Sequence, residues 1–339
     1  MLSTTQEANE YREKFHKYYK ENIEKDLKSF ELERQSKFKT YTLLRRVMWF
    51  FITLGLLVEM YAYYHYVFTA GFWENGGSNL FQFGWLLAGV PFCITLTFSQ
   101  QIKTNFELLI KQKMITAILS FWGSFRWTPK KSIDSELIIK SNLIENNFTA
   151  LISDDYFDGY FDKHHFIISE LKIIRPAGLD GKSTDILFGG VFIKLPMNKK
   201  INSQVIVVES MAPDKFITKS YNHLPQKFKN LNKIELEDVE FNRLFDTYSS
   251  DEVEARYILT TAFIERFKAL KQIFNAKEIR ASFFEDTLMI ALSCDKDMFV
   301  LGDIRKPVTD ANQMQTLFEE FLAIMSIVEI LNLDSKTGL

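Results

Sequence analysis

Apolar positions recur with a helical period in the first part of the chain, and the period changes to that of strands from about residue 133. Within the helical part, two apolar runs cover residues 47–68 and 80–98, and no charged residue lies between Glu74 and Lys103. A helix needs about 20 apolar residues to cross the hydrocarbon core of a bilayer, and both runs are long enough. The pattern therefore predicts a transmembrane hairpin within residues 43–100. A buried helical hairpin of a soluble protein is the alternative.

The charges that flank the two runs predict the orientation of the hairpin. Basic residues precede the first run and follow the second, whereas the loop of residues 69–79 contains neither Lys nor Arg; these basic residues are Lys37, Lys39, Arg45, Arg46, Lys103, Lys111 and Lys113. Cytoplasmic flanks carry an excess of Lys and Arg. We therefore expect both flanks, and with them both termini, in the cytoplasm.

One acidic residue, Glu59, interrupts the first run. A carboxylate at membrane depth is costly and by default marks a functional site. Tyrosines follow it closely, at Tyr61, Tyr63, Tyr64 and Tyr66, as in an interfacial aromatic belt. We favour a position for Glu59 near the outer headgroups, and a functional membrane-embedded polar group is the alternative.

Two further helices flank the predicted hairpin. Residues 1–42 carry an amphipathic stripe with charges of both signs, which predicts a helix that packs on the protein's own soluble domain, on a second copy or on the membrane surface. The mixed charge argues against the membrane surface. Residues 101–130 predict a juxtamembrane helix, either a stalk, an interfacial helix or a core helix.

Residues 131–335 predict a cytoplasmic α+β domain with a mainly antiparallel sheet packed by helices. Short segments rich in β-branched and aromatic residues follow one another without helices between them, which indicates antiparallel strands. Helices are expected over Phe241–Tyr248, from about Ser249 with a capping box, and from Asp310 to about Leu331. The number of strands also allows a pleckstrin-like barrel.

Composition excludes several classes of protein. The net charge of −2 argues against a nucleic-acid-binding surface. The two cysteines, Cys93 and Cys294, are far apart, which excludes a disulfide scaffold and a zinc site built from cysteines. We expect no cofactor and no partner nucleic acid.

Three stretches carry a family resemblance when they are taken together. They are DDYFDGYFDKHHFIISE from Asp154, ILFGGVFIKL from Ile186 and LEDVEFNRLFDTYSSDEVEARYILT from Leu236. With the hairpin and the lead-in FHKYYKENIEKDLKSFELER, the chain resembles the bacterial two-pass membrane family DUF3137, a domain of unknown function. The resemblance implies a bacterial inner-membrane protein with a cytoplasmic C-terminal domain. It implies no established activity, so no catalytic residue is carried over.

The densest group of candidate ligands lies around Asp154 and Asp155. The spacing of a calcium loop fails there, because its third position is Tyr156 and its twelfth is His165. We therefore predict no metal site and interpret the stretch as a polar hairpin turn, in which Gly159 supplies unusual backbone angles.

A second set of candidates comprises Glu170, Asp251, Glu254 and Arg256. These residues indicate a buried polar network, a partner contact or an acid/base site, and no nucleophile accompanies them in the sequence. Gly189 and Gly190 lie inside a strand pattern, which predicts a bulge or a close backbone approach.

The leading hypothesis is a membrane-anchored interaction or scaffolding module without catalytic activity. It would bind the lipid bilayer through the hairpin and a protein through its domain, or self-associate through residues 1–42. The alternative is a membrane-bound enzyme with a cleft of acidic residues and arginine. Neither GxSxG, HExxH, CxxC nor a Walker pattern occurs in the sequence.

Overall fold

The computed structural model describes residues 5–68, 77–161, 164–177, 183–197, 200–210, 231–299, 301–309 and 311–336. The chain divides into two compact units. The helical unit comprises Lys20–Met114 and Leu301–Ala311, and the α+β unit comprises Met1–Tyr19, Ile115–Val300 and Asn312–Leu339. Residues 69–76 of the predicted loop lie outside the described residues.

The first part of the chain is helical as far as Trp122, and the juxtamembrane helix predicted over residues 101–130 is wrong at its end, where Ser124–Trp127 forms a strand. Helix α1 (Thr5–Tyr18) leads through a π-helical turn (Tyr19–Ile23) into α2 (Glu24–Phe68), and α3 covers Gly77–Trp122. The sequence pattern predicts a lead-in helix separate from the first apolar run, but α2 contains residues of both. No proline interrupts α2, so backbone hydrogen bonding continues from its charged half into its apolar half.

Helices α2 and α3 contact each other in the helical unit. A Cβ on Gly55 would overlap the Cβ of Ala88, so glycine lets the two backbones approach closely. Among the described residues, one helical stretch, Gly84–Trp122, is long and apolar enough to cross a membrane on length and composition. Of the two predicted spans, the second therefore meets this criterion and the first does not.

The α+β unit contains an antiparallel sheet that has nine strands among the described residues. The strand order is β1-β2-β3-β4-β9-β8-β5-β7-β6. The strands are β1 (Ser124–Trp127), β2 (Ala150–Phe161), β3 (His164–Ala177), β4 (Ser183–Pro196), β5 (Val205–Glu209), β6 (Asn232–Ile234), β7 (Phe245–Ser249), β8 (Glu278–Phe284) and β9 (Thr287–Ser293). The α+β class and the antiparallel sheet are confirmed.

The suggested pleckstrin-like barrel is wrong for the part of the chain that the structure describes. Strands β1 and β6 form the two edges of the sheet, and each has one neighbouring strand. The sheet is therefore open, and helices cover its apolar side chains. These helices are α4 (Ser135–Ser141), α5 (Val239–Leu244), α6 (Glu252–Ile258), α7 (Thr261–Ile273) and α8 (Ala311–Lys336).

The helix predicted over Phe241–Tyr248 is only half correct. Helix α5 ends at Leu244, and Phe245–Ser249 forms strand β7, which pairs with β5. Phe245, Thr247 and Ser249 are buried on alternate positions. Spacings of three and four residues predict a helix, but the segment forms a strand because it pairs with a neighbouring strand.

The next predicted helix begins two residues later than expected and consists of two helices. Asp251 is the N-cap of α6, because its side chain accepts a hydrogen bond from the Glu254 N–H. Thr260 caps α7 in the same way, through the N–H of Phe263. Ser249 instead ends β7, so the predicted capping box is wrong.

Helix α8 confirms the predicted C-terminal helix and packs in the α+β unit. Phe318 stacks on Phe15 of α1, with ring centroids 4.1 Å apart, and on Trp122 at 5.3 Å. Arg12 and Glu319 form an ion pair 2.7 Å long beside these rings. Residues of the N-terminal amphipathic stripe thus pack on the protein's own domain, and self-association through residues 1–42 stays a prediction.

Candidate functional site

A β-bulge in strand β2 brings acidic residues together. The register of β2 on β3 shifts between Ser153 and Tyr156, which leaves Asp154 and Asp155 opposite Glu170. Bulges redirect side chains and occur frequently beside functional sites. Residues 154–161 are therefore strand, and the interpretation of this stretch as a polar hairpin turn is wrong for them, whereas residues 162 and 163 lie outside the described residues.

A third aspartate, Asp297, follows strand β9 and completes an acidic cluster. One carboxylate oxygen from each of Asp154, Asp155 and Asp297 lies within 4.8 Å of the others. Asp155 is fully buried, and its Oδ1 accepts a hydrogen bond of 2.7 Å from the Trp127 indole. Oxygen ligands at this separation are the kind that a hard divalent cation contacts.

Glu170 connects strand β3 to the segment that carries Asp297. Its Oε1 accepts a hydrogen bond of 2.8 Å from the buried N–H of Met298. A charge-assisted bond to a backbone donor is among the stronger hydrogen bonds in proteins. Glu170 therefore holds the 294–299 segment against the sheet and has a structural role at the site.

Two glycines form the base of the same region. Gly190 has a φ of +146°, and a Cβ there would overlap the carbonyl oxygen of Leu292. The carbonyl of Gly189 accepts a 2.9 Å hydrogen bond from the N–H of Cys294. The predicted close backbone approach is thus confirmed, since only glycine permits β4 and β9 to meet this closely.

These elements enclose a cleft of about 450 Å³, which we name the acidic cleft. Its lining is Lys130, Ile152, Ser153, Asp154, Glu170, Leu171, Lys172, Gly189, Gly190, Cys294, Asp295, Lys296 and Asp297. Both signs of charge are present, so the cleft suits a polar ligand or a cation better than an apolar molecule.

The thiol of Cys294 is not a reactive nucleophile at neutral pH. Burial raises the pKa of Cys294 to about 12, and the neighbouring carboxylates of Glu170, Glu320 and Asp295 add to the shift. A thiol reacts as its thiolate, and this environment disfavours the thiolate.

The candidates on helix α6 have roles outside the acidic cleft. Asp251 caps the helix, and Glu254 accepts hydrogen bonds from the backbone N–H groups of Asn202 at 3.2 Å and Ser203 at 2.9 Å. Arg256 donates to Glu252 at 2.6 Å. None of Asp251, Glu254 and Arg256 is among the described residues that line the acidic cleft.

Gly159 lies within strand β2 and meets a steric requirement. It faces Phe125 of β1, and a Cβ on Gly159 would lie 2.6 Å from the Phe125 Cα. The described glycines with a positive φ are Gly123, Gly190 and Gly302, and Gly159 is not one of them. The expected unusual backbone angle is therefore wrong, and close approach of β1 explains this glycine.

Glu59 lies on the face of α2 that contacts α3. Its Oε1 is buried without a hydrogen-bond partner among the described residues, and a Cβ on Gly84 would lie 2.7 Å from it. The side chain is thus packed against the partner helix of the hairpin.

Sequence reasoning missed Asp297 and Lys130, because the topology of the sheet brings them to the bulge. Asp297 lies 142 positions beyond Asp155 in the chain, so no local motif contains both residues. The signal that could have found it is the polar run Asp295-Lys296-Asp297, which begins two residues after the end of a buried strand.

Comparisons with known proteins give one family and one distant structural likeness. No curated protein matches the chain. The crystal structure of the mycobacterial trehalose monomycolate transport factor A, TtfA, aligns with a TM-score of 0.33 and 8% sequence identity over 62% of this chain and 90% of that chain. Residues 186–333 match the model of DUF3137, described as a protein of unknown function. The resemblance to the DUF3137 family is thereby confirmed over these residues.

Proposed function

We propose that this protein is an interaction module of the bacterial inner membrane, anchored by α2 and α3 and presenting its α+β unit to the cytoplasm. The observation that carries the proposal is the exposure of large apolar side chains along both helices. They are Trp49, Phe50, Leu56, Leu57, Met60, Tyr61, Tyr63, Tyr64, Tyr66, Val67 and Phe68 on α2, and Trp85, Leu86, Val90, Ile94 and Phe98 on α3. Soluble proteins rarely expose apolar patches of this extent.

Small residues at the contact between α2 and α3 support a two-span anchor. Gly55 allows a close approach to Ala88, which is the packing that helices use in lipid, where apolar surface gives no driving force between them. Glu59 faces the same contact through Gly84, so its carboxyl is turned from the exposed apolar surface. A charged group inside a membrane faces the helix bundle.

The positive flanks of the two helices support a cytoplasmic α+β unit. Lysines and arginines precede the apolar half of α2 and follow that of α3, and the connection between the helices has none. In this orientation Cys294 lies in a reducing compartment, where thiols stay unpaired.

The acidic cleft favours a second candidate, a membrane-bound enzyme that acts on a cationic or metal-bound substrate. The supporting observation is the grouping of Asp154, Asp155 and Asp297 beside Glu170. The hypothesis of catalysis at Glu254 or Arg256 has less support. Glu254 accepts a hydrogen bond from the Ser203 N–H and Arg256 donates one to Glu252, so both side chains have structural roles.

Reporter fusions test the anchor and its orientation. A fluorescent protein fused after Leu339 should be fluorescent, and alkaline phosphatase inserted at residues 69–76 should be active outside the cytoplasm. Active phosphatase at the C-terminus would contradict the orientation. Full extraction of the protein by alkaline carbonate would contradict the anchor.

A paired crosslinking experiment tests the interaction role. Full-length protein and a variant with Asp154→Asn and Asp297→Asn are crosslinked in native membranes. A module that uses the acidic cleft should lose a specific partner in the variant, and an unchanged set of crosslinked proteins would contradict that use. Hydrolysis or transfer activity that disappears in the same variant would favour the enzyme.

A further inference from the structure

A second cleft of about 520 Å³ lies in the α+β unit and shares the lining residues Cys294–Asp297 with the acidic cleft. Its walls come from the end of α7 with the following turn, from the 294–299 segment and from the first turns of α8. We name it the Glu320 cleft. Cavities of roughly 300–1,000 Å³ are the size that small-molecule ligands occupy.

The inner wall of the Glu320 cleft is apolar and aromatic. Phe274, Met298, Phe299 and Leu317 line it, and all four are buried. Charged groups lie at the rim, where Lys277 and Asp295 form an ion pair 2.6 Å long. An apolar interior with a polar rim is the usual construction of a ligand site.

Glu320 is the one acidic side chain that lines this cleft and is buried, among the residues that the structure describes. It is 5% exposed, and burial is the one cause that raises the pKa of its carboxyl, with no hydrogen bond or ion pair to a described residue contributing. Its sequence neighbour Glu319 differs, because Glu319 pairs with Arg12. A buried carboxylate without a counter-charge is costly. A cationic ligand could supply that counter-charge and so remove the cost.

The ionisable groups around Glu320 do not neutralise it. Cys294 faces it from the end of β9 and stays a neutral thiol, and Asp295 and Asp297 add negative charge from the same segment. Glu170 also adds negative charge near Cys294. Lys296 also lines the cleft, but it is exposed, so solvent screens its charge, and Lys277 is paired with Asp295. The local field therefore favours a cation.

We propose that the Glu320 cleft binds a small organic cation, an amine or a guanidinium carried on a compact apolar body. The Glu320 carboxylate is its counter-ion, and the rings of Phe274 and Phe299 contact its apolar part. Aromatic faces add attraction for a cation. A divalent metal fits less well, because it requires several oxygen ligands and Glu320 is the one buried carboxylate of the described lining.

Titration calorimetry on the full-length protein in lipid nanodiscs tests this proposal with three matched probes. Phenethylamine is the cation, 2-phenylethanol the neutral analogue and 3-phenylpropanoate the anion. At pH 8 we expect phenethylamine to bind at least about tenfold more tightly than the alcohol, because a charge-assisted hydrogen bond contributes roughly that factor. The anion should not bind.

Two variants on one helix separate the charge from the fold. Glu320→Gln keeps the shape and should weaken phenethylamine binding about tenfold or more, whereas Glu319→Gln should leave it unchanged. Thr316→Trp, at the exposed mouth of the cleft, should block all binding without disturbing the core. Wild-type binding should also tighten from pH 6 to pH 8, since the cation requires the ionised carboxyl.

Equal binding of the amine and the alcohol would overturn the proposal, as would amine binding that survives in Glu320→Gln. Absence of any amine binding to the wild type would also overturn it. Binding of Ca²⁺ that depends on Glu320, without amine binding, would replace the organic cation by a metal. None of these results depends on which way the protein is oriented in the membrane.

Discussion

Helices α3 and α8 are both rich in large apolar side chains, yet they expose them in opposite ways. On α3, Trp85, Leu86, Val90, Ile94 and Phe98 are between 51% and 73% exposed. On α8, Leu317, Phe318, Phe321, Leu322 and Met325 are at most 4% exposed. Both helices carry apolar residues on most of their faces, but of the two only α3 presents these side chains outward among the described residues.

This difference shows that an apolar helix is a core helix or a candidate membrane span according to what covers its side chains. The side chains of α8 are covered by aromatic rings of the same unit, such as Phe15 and Trp122 around Phe318. The side chains of α3 have no such cover within the described helical unit, and a lipid core would supply it.

Truncation of Phe321 on α8 should cost the most stability. Phe321 is fully buried and contacts Phe157 with ring centroids 5.3 Å apart. Phe321→Ala should reduce the free energy of unfolding by about 3–5 kcal/mol, the usual loss for a core phenylalanine. Thermal unfolding of the solubilised protein measures it. Phe98→Ala on α3 is the matched control, and an equal loss there would break the contrast.

A charge on the exposed stripe of α3 should weaken membrane insertion. Val90→Asp places a carboxylate within the apolar run, at a cost of roughly 2.5–3.5 kcal/mol. We expect a smaller fraction of the protein to remain in membranes after an alkaline wash. Gln101→Asp, beyond the run, is the control. Identical retention of the two variants would show that α3 does not face lipid.

Removal of the Glu320 carboxyl should stabilise the protein in a pH-dependent way. Burial raises the pKa of Glu320 from 4.5 to about 7. Between pH 4.5 and pH 7 the carboxyl is therefore protonated in the folded state and ionised in the unfolded state. Wild-type stability therefore falls as the pH rises from 4.5 to 7. Glu320→Gln should gain up to about 3 kcal/mol over the wild type at pH 8 and nothing at pH 4.

Denaturation curves at several pH values measure this gain for Glu320→Gln. A constant difference across the pH range would mean that the carboxyl stays ionised in the folded protein. Glu319→Gln, on the same helix, is the matched control, because Glu319 is partly exposed and ion-paired with Arg12.

Loss of the ion pair between α1 and α8 should have the smallest effect. Arg12 donates to Glu319 at 2.7 and 2.8 Å, with both side chains partly exposed. Arg12→Ala should cost less than about 1 kcal/mol, since solvent screens such pairs. A double-mutant cycle with Glu319→Ala measures the coupling. A coupling above about 2 kcal/mol would mean that the pair, rather than the stacked aromatic rings, holds α1 on α8.

Much of the fold could be predicted because local patterns agree with the final pairing. The alternation in Phe166–Ile173 predicts a strand and forms part of β3, and the apolar run from Met314 to Leu331 predicts a helix and lies in α8. The prediction failed at Phe245–Ser249, where Phe245 and Tyr248, at helical spacing from Phe241, belong to a strand. Pairing with β5, about 40 residues earlier in the chain, makes that segment a strand, and the local sequence pattern carries no information on this pairing.

The sites were less predictable because they depend on tertiary contacts. Asp154, Asp155 and Glu170 were candidates in the sequence, but Asp297 joins them only through the sheet order that places β9 beside β4. Glu319 and Glu320 are adjacent and chemically identical in the sequence. The rotation of about 100° between successive helix positions buries Glu320 and leaves Glu319 partly exposed.

The most direct test of the membrane anchor uses Cys93, a cysteine that is exposed on α3. A nitroxide is attached there in a Cys294→Ser background, and its collision rates with oxygen and with an aqueous nickel chelate are measured by electron paramagnetic resonance in native membranes. If α3 faces lipid, oxygen should reach the label readily and the nickel chelate should not. Ready access of the nickel chelate with little oxygen contact would contradict the anchor.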